Sequence, residues 1–395
     1  MLQLQFVEFK KGSYVLVDGA DTNDRFYIIQ SGRVICSNSL DPGVKSKKIL
    51  TTGDFVGVIP CMSGHAQIEN AVALEDVKAI SVMRDQYSAL IEKNVPVAMK
   101  IIRTFSQRMR EMNEQLTQIA LNNVSSTSPE QIYEVAQYYD KSGSFDAAAY
   151  AYYRYLKECP NGRAFSEAQR RFAILKPASN AVFFEPTADL QRVYPAGTMI
   201  TAESQIGTSM FLIQDGQVKI SKVVDGNEVI LSILKRGDMF GEMSLLEHKP
   251  RSASAIAQEK TRLLVINSKN FDQMVMTQPQ LISRLTTTLA DRLWSMYRQL
   301  SNTKLVDPVH KAIDMLSLQL EKDRKLFGSY HTSISFSDLL NMCAIPNEQK
   351  PRAMMELQNE KSIKVIQGKI YIPDCQEVVK LAAFFKKLES EKYKS

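Results

Sequence analysis

The 395-residue sequence predicts an α+β multidomain chain: two β-jelly rolls, a helical hairpin between them, and a C-terminal helical domain with a short β-hairpin. Three observations predict it. A pattern of short alternating strands with Gly and Asp turns occurs twice, 184 residues apart. Each copy runs into a long amphipathic helix. The last ninety or so residues open on a helix start signal and end in apolar runs around a Gln-Gly turn.

The repeat is legible residue by residue. Phe26-Tyr27-Ile28-Ile29-Gln30-Ser31-Gly32-Arg33-Val34 answers to Met210-Phe211-Leu212-Ile213-Gln214-Asp215-Gly216-Gln217-Val218. The same offset carries Gly53-Asp54-Phe55-Val56-Gly57 onto Gly237-Asp238-Met239-Phe240-Gly241. Phe9-Lys10-Lys11-Gly12 echoes Tyr194-Pro195-Ala196-Gly197 with a one-residue slip. Such strands suit a small antiparallel barrel or jelly roll. The helices that follow carry apolar stripes, Ile101, Phe105, Met109, Met112 and Leu116 in the first, and Ile282, Leu285, Leu289, Met296 and Leu300 in the second. Spacings of three and four mark a core face or a coiled-coil seam.

Between the barrels, Ser125-Ser126-Thr127-Ser128-Pro129 reads as a linker into a helical hairpin. Ala136, Tyr139, Gly143, Ala148, Tyr152 and Pro160 make residues 129–162 resemble a single tetratricopeptide unit, and 163–175 adds a third amphipathic segment. Stacked repeats of this kind need about three units for stability. A single one is therefore expected to pack on a barrel as a spacer; a peptide-binding groove is the alternative.

The chemistry concentrates in Phe240-Gly241-Glu242-Met243-Ser244-Leu245-Leu246-Glu247-His248-Lys249-Pro250-Arg251-Ser252. Gly241 permits a tight turn whose backbone N–H groups suit an anion. Arg251 offers a planar donor fork for phosphate oxygens, and Ser252 a further donor. Glu242 is an acceptor suited to a sugar hydroxyl. This string resembles the phosphate-binding cassette of cyclic-nucleotide-binding domains. The resemblance implies a cyclic nucleotide, with cAMP expected, in the second barrel. It also puts Arg292 of the long helix at a family position, and Met296 and Tyr297 where the base is contacted. In the first barrel the corresponding positions hold Val58, Gln67 and Ile68, which cannot neutralise a phosphate or bind a ribose. That barrel is expected to be structural or regulatory, another ligand being the alternative.

At the C-terminal end, Asp307-Pro308 supplies an N-cap and a first-turn proline. Ser335–Met342, a turn at Cys343-Ala344-Ile345, a helix over Asn347–Lys361 and strands at 363–366 and 369–372 follow. Together these resemble the hinge and winged helix-turn-helix of the catabolite activator (CRP/FNR) family. The resemblance implies DNA as a partner, with Asn347, Glu348 and Arg352 reading bases and Lys350, Lys361, Lys364 and Lys369 meeting phosphates. Pro351 falls about five residues into the second helix, where it would kink or delay it.

Composition bounds the rest. Five dispersed cysteines without a CxxC pair fit reduced thiols, and four dispersed histidines support no metal site. No signal peptide and no run of about 18–20 apolar residues is found, so a cytoplasmic protein without membrane spans is expected. The net charge of +6 permits nucleic-acid binding without demanding it. No nucleophile–base pair or Walker loop suggests an enzyme, and no cofactor is expected besides the nucleotide ligand. The expected domains are 1–122, 123–184, 185–303 and 304–395. The reading is a cyclic-nucleotide sensor that regulates transcription, its barrels paired as a homodimer along Ile282–Leu300 or as a pseudo-dimer within one chain. A nucleotide-responsive scaffold without DNA binding is the alternative.

Overall fold

A computed structural model describes residues 4–21, 23–37, 47–121, 128–183, 190–224, 226–343 and 345–392; part of the expected linker and of the Cys343–Ile345 turn lies outside them. The first barrel contains β1 (Gln5–Phe9), β2 (Tyr14–Leu16), β3 (Arg25–Ser31), β4 (Val34–Ser37), β5 (Lys48–Leu50), β6 (Phe55–Val56), α1 (Val58–Ser63), β7 (Asn70–Ala73) and β8 (Val77–Met83). Helices α2 (Tyr87–Lys93) and α3 (Val95–Leu121) follow. Next come three helices, α4 (Gln131–Lys141), α5 (Phe145–Glu158) and α6 (Phe165–Leu175), with Gly143 at φ 77° turning α4 into α5.

The second barrel repeats the first: β9 (Gln191–Tyr194), β10 (Met199–Thr201), β11 (Ser209–Asp215), β12 (Val218–Val224), β13 (Asn227–Leu234), β14 (Met239–Phe240), α7 (Glu242–Glu247), β15 (Ser254–Ala257) and β16 (Thr261–Asn267). Then come α8 (Ser268–Thr277), α9 (Pro279–Asn302), α10 (Pro308–Lys322), β17 (Tyr330–His331), α11 (Phe336–Met342), α12 (Lys350–Gln358), β18 (Lys364–Ile366), β19 (Lys369–Ile372) and α13 (Cys375–Lys392).

The two barrels share one topology. Each has two four-stranded antiparallel sheets, β1-β8-β3-β6 with β2-β7-β4-β5 in the first and β9-β16-β11-β14 with β10-β15-β12-β13 in the second. Even a break in register recurs, between Ile29 and Ser31 and between Ile213 and Asp215. Small and branched side chains fill the first interior (Ile29, Val34, Ala71, Ala79), and larger ones such as Phe211 and Phe240 enter the second.

The chain divides into two compact units that do not follow sequence order. Unit one comprises Met1–Met109 with Lys269–Arg298; unit two comprises Arg110–Ser268 with Gln299–Ser395. In unit one, α9 contributes the buried Ile282, Leu285 and Leu289, Thr286 meets the Tyr87 hydroxyl at 2.9 Å, and Trp294 stacks on His65 at 3.8 Å. In unit two, α4 and α5 cover the outer face of β10-β15-β12-β13. Ala148, Tyr152 and Tyr155 share one core with Met199, Val223 and Ile256. Polar contacts lock this packing: Gln131 Nε2 donates to Val223 O at 2.8 Å, and the Tyr139 hydroxyl to Glu228 Oε1 at 2.6 Å. The spacer thus has one face buried on a barrel.

The C-terminal part corrects one expectation. The second helix of the helix–turn–helix does not span Asn347–Lys361; α12 is only Lys350–Gln358, and Asn347 and Glu348 lie in the turn before it. Pro351 explains the difference. It sits in the first turn of α12, where its missing N–H has no helical partner to lose, so the proline delays the helix without kinking it. Ser335 caps α11 and forms a capping box with Asp338. The β18–β19 turn holds Gln367 and Gly368 at φ 50° and 75°, the pair of positive values a tight two-residue hairpin requires.

Candidate ligand-binding site

The second barrel builds its site around one buried cation. Gly241 takes φ 79° as it caps α7, a conformation that favours glycine and aims its carbonyl back toward the barrel. Arg251 Nη1 donates to that carbonyl at 2.7 Å, and Nη2 to Ser209 O at 2.6 Å. Its backbone is pinned as well: Arg251 N donates to Gln205 O at 2.8 Å, and Ser204 N to Arg251 O at 2.9 Å. The guanidinium lies 5.6 Å from the Phe211 ring centroid, and Phe211 stacks on Phe240 at 5.0 Å. Arg251 is 6% exposed, and its Nε is buried without a hydrogen-bond partner.

Burial lowers the Arg251 pKa to about 10, against the upward pull of Tyr150 and Glu242. The cation therefore stays charged at neutral pH while lacking most of its water. Such a buried cation suits a site for an anion.

The rest of the cassette surrounds this group. Glu242, Met243 and Ser244 are buried, and Ser252 Oγ lies 3.6 Å from Met243 Sδ. Arg110, from the far half of α3, pairs with Glu247 at 2.8 Å and approaches Pro250 O at 3.4 Å. No motif in the sequence singled out Arg110, because a helix position says nothing of the turn it will meet. Gly207 was missed for a similar reason. A Cβ there would lie 2.3 Å from Arg251 Nε, so only glycine leaves room for the guanidinium. Gly207→Ala is expected to push Arg251 from its seat and destabilise the barrel by about 1–3 kcal/mol, read by chemical denaturation.

The structure brings Phe240 to Ser252 together in unit two. It places Arg292, Met296 and Tyr297 on α9 in unit one, where Met296 is buried. The first barrel keeps the backbone frame of the cassette without its chemistry. Gly57 caps α1 at φ 79°, and Gln67 N and O pair with Ala20 O and Gly19 N at 2.9 Å, as Arg251 pairs with its own loop. Val58, Gln67 and Ile68 are all buried there.

The residues assigned to DNA divide into two groups. Glu348, Lys361, Lys364 and Lys369 are exposed, and Arg352, on exposed α12, pairs with Glu356 at 2.7 Å. Asn347 and Lys350 are engaged. Asn347 Nδ2 donates to Asn227 Oδ1 of β13 at 2.7 Å, and Lys350 Nζ donates to Asn341 and Asn347 at 2.6 and 2.7 Å. Burial lowers the Lys350 pKa, while nearby Glu228 raises it.

Two stretches of the chain, residues 6–94 and 191–278, match the family model described as the cyclic nucleotide-binding domain. The cyclic AMP receptor protein of Thermus thermophilus is 36% identical over 104 residues, which cover 26% of this chain and 48% of that protein. The chain thus spans about half the length of that relative. A CRP-like cAMP-activated global transcriptional regulator of Mycobacterium tuberculosis is 24% identical over 201 residues, 50% of this chain and 90% of that protein. A cAMP-dependent protein kinase regulatory subunit of Aspergillus niger is 32% identical over 112 residues, 28% of this chain and 26% of that protein. Among the described residues no group of His, Cys, Asp and Glu forms a metal site, and no helix is long and apolar enough to cross a membrane.

Proposed function

The chain carries two cyclic nucleotide-binding domains, and on that premise we propose that only the second binds its ligand and that the protein is a cyclic-nucleotide sensor controlling DNA binding. The observation that carries this reading is Arg251, a buried cation whose Nε has no partner in the described residues. A cyclic phosphate supplies the charge and the acceptor it lacks, and Glu242 is placed one residue from Gly241 to accept from a ribose hydroxyl. The cassette fixes sugar and phosphate, so cAMP is favoured on the relatives' printed ligands and not on a base contact. Calorimetry on the full chain with cAMP, cGMP and a cyclic dinucleotide tests the reading. One equivalent of cAMP supports it; tighter binding of another nucleotide reassigns the ligand, and no binding by the folded protein ends it.

For the output domain, α11, α12 and the β18–β19 hairpin support a winged helix-turn-helix that meets DNA through the head of α12 and the wing. Within unit one, Ile282, Leu285, Leu289 and Met296 of the stripe that a homodimer would use are already buried. On this reading one chain presents one recognition helix to one half-site, and light scattering is expected to find the nucleotide-loaded protein monomeric. Arg352→Ala is expected to relax base preference about tenfold, whereas Lys364→Ala weakens all sequences alike and lowers the salt slope by about one. The Aspergillus relative keeps a second outcome in view. Nucleotide binding with no DNA preference at any salt would favour a nucleotide-responsive interaction module.

A further inference from the structure

The helical spacer grips the loop on which Arg251 rests. That loop, residues 202–208 between β10 and β11, touches the cassette on one side and α5 on the other. On the cassette side, Gln205 O accepts from Arg251 N at 2.8 Å and Ser204 N donates to Arg251 O at 2.9 Å. Gly207 abuts the guanidinium so closely that a Cβ would lie 2.3 Å from its Nε. On the α5 side, Glu158 Oε2 accepts from Ile206 N at 2.9 Å, and the Tyr150 hydroxyl donates to Gln205 Oε1 at 3.3 Å. The Glu158 side chain is nearly buried, and Arg154 donates to its other oxygen. We propose that α5 is part of the nucleotide site, with Glu158 and Tyr150 as positioning residues that fix this loop and, through it, Arg251. The inference rests on nucleotide binding by the second barrel.

Three features support this role. Ser204 takes φ 64°, a conformation that side-chain-bearing residues adopt at a cost, so the loop keeps its shape only with outside support. Burial sets the lowered pKa of Arg251, and Tyr150 and Arg154 also act on it, so α5 lies within electrostatic reach of the guanidinium. The first barrel supplies the contrast. Tyr14 and Val72 pair in its sheet as Met199 and Ile256 pair in the second. Met199 and Ile256 lie in the core that α5 closes, whereas Tyr14 is 60% exposed. The covered barrel keeps the arginine, and the barrel open at the matching position carries Gln67 instead. A guanidinium stripped of most of its water gains from being fixed before the ligand arrives, since ordering it on binding would weaken affinity. The bond to Glu158 is charge-assisted and so outweighs the one from Tyr150.

Calorimetry with cAMP on the full chain tests this, at a temperature where circular dichroism finds every variant folded. Glu158→Ala is expected to weaken binding about tenfold and Tyr150→Phe about threefold. Glu158→Gln keeps an acceptor for Ile206 N and restores most of the affinity. Arg171→Ala is the control. It breaks the pair with Asp140 between α4 and α6, away from the loop, and is expected to lower stability while leaving affinity unchanged. Should Glu158→Ala fail to fold, Tyr150→Phe against Arg171→Ala decides the matter. Unchanged affinity in the α5 variants, beside a wild type that binds, overturns this inference alone. An equal loss in Arg171→Ala overturns it too, because the spacer is then a general support. A wild type that binds no nucleotide overturns the nucleotide reading and this inference with it.

Discussion

Arg251→Ala is expected to eliminate measurable nucleotide binding while the second barrel stays folded. Truncating one partner of a buried, hydrogen-bonded charge pair costs about 2–5 kcal/mol, so affinity falls at least thirtyfold. The geometry argues for the upper part of that range. Arg251 is held by two backbone carbonyls and by its own pinned backbone, so the phosphate meets a guanidinium already in place. Lysine does not substitute, because one ammonium on a flexible stem cannot hold Gly241 O, Ser209 O and a phosphate together. Thermal stability provides the readout. In the wild type, nucleotide at a hundred times Kd adds about 2.7 kcal/mol to unfolding, and Arg251→Ala gains none of it. The pH dependence follows from the sign of the shift. Burial lowers the folded pKa to about 10, below its unfolded value, so the folded barrel carries a charged, poorly solvated group at every pH below about 10. Binding is therefore flat across neutral pH and weakens only as the guanidinium loses its proton above that value. Full ligand-induced stabilisation in Arg251→Ala would remove the cassette from the site.

The barrels were legible because local rules repeat. Glycines at positions that demand positive φ, such as Gly57 and Gly241, and strands of period two fix each turn from a few adjacent residues. The 184-residue offset extends even to a shared break in register. Long-range assignments were not legible. The stripe Ile282–Leu289 announces a buried helix face, yet nothing in its period says which barrel it joins, and it joins the first. Arg292, Met296 and Tyr297 are assigned by resemblance to the family's long helix, and α9, which carries them, belongs to unit one. Pro351 was read as a defect inside a helix when it marks the first turn of a shorter one. Arg110 and Asn227 carried no signal, since an arginine on a helix and an asparagine at a strand start are ordinary in sequence. Their roles arise only where the turn and the strand meet their partners.

Replacing Asn227 with alanine and Glu228 with glutamine together is expected to make DNA binding independent of nucleotide. The head of α12 is the part that would enter the major groove, and of its candidate contacts one is bonded to the sensor barrel and another lies beside it. Asn347 bonds Asn227 at 2.7 Å, and Lys350 is partly buried beside Glu228. Glu228 is itself fixed by Tyr139 of the spacer at 2.6 Å and by Lys219 at 2.8 Å, so the strand end that holds α12 is tied to the helical hairpin as well as to the barrel. Groups engaged in this way cannot meet bases and phosphates at the same time. On the proposed function, ligand-free protein would populate a state with low DNA affinity, and nucleotide would act by favouring the released one. Coupling of this kind is typically worth about 1–3 kcal/mol, or five- to 150-fold in affinity. The double variant is expected to raise ligand-free affinity by that factor and leave the nucleotide-loaded affinity unchanged. Tyr139→Phe, which removes one restraint on Glu228, gives a smaller rise in the same direction. Fluorescence anisotropy with a labelled duplex, with and without cAMP, reads all three proteins. If the double variant still needs nucleotide as the wild type does, the strand end is a packing contact and the switch lies elsewhere. If the wild type binds no DNA in either state, the winged domain is not a reader, and Asn347 and Lys350 serve the fold alone.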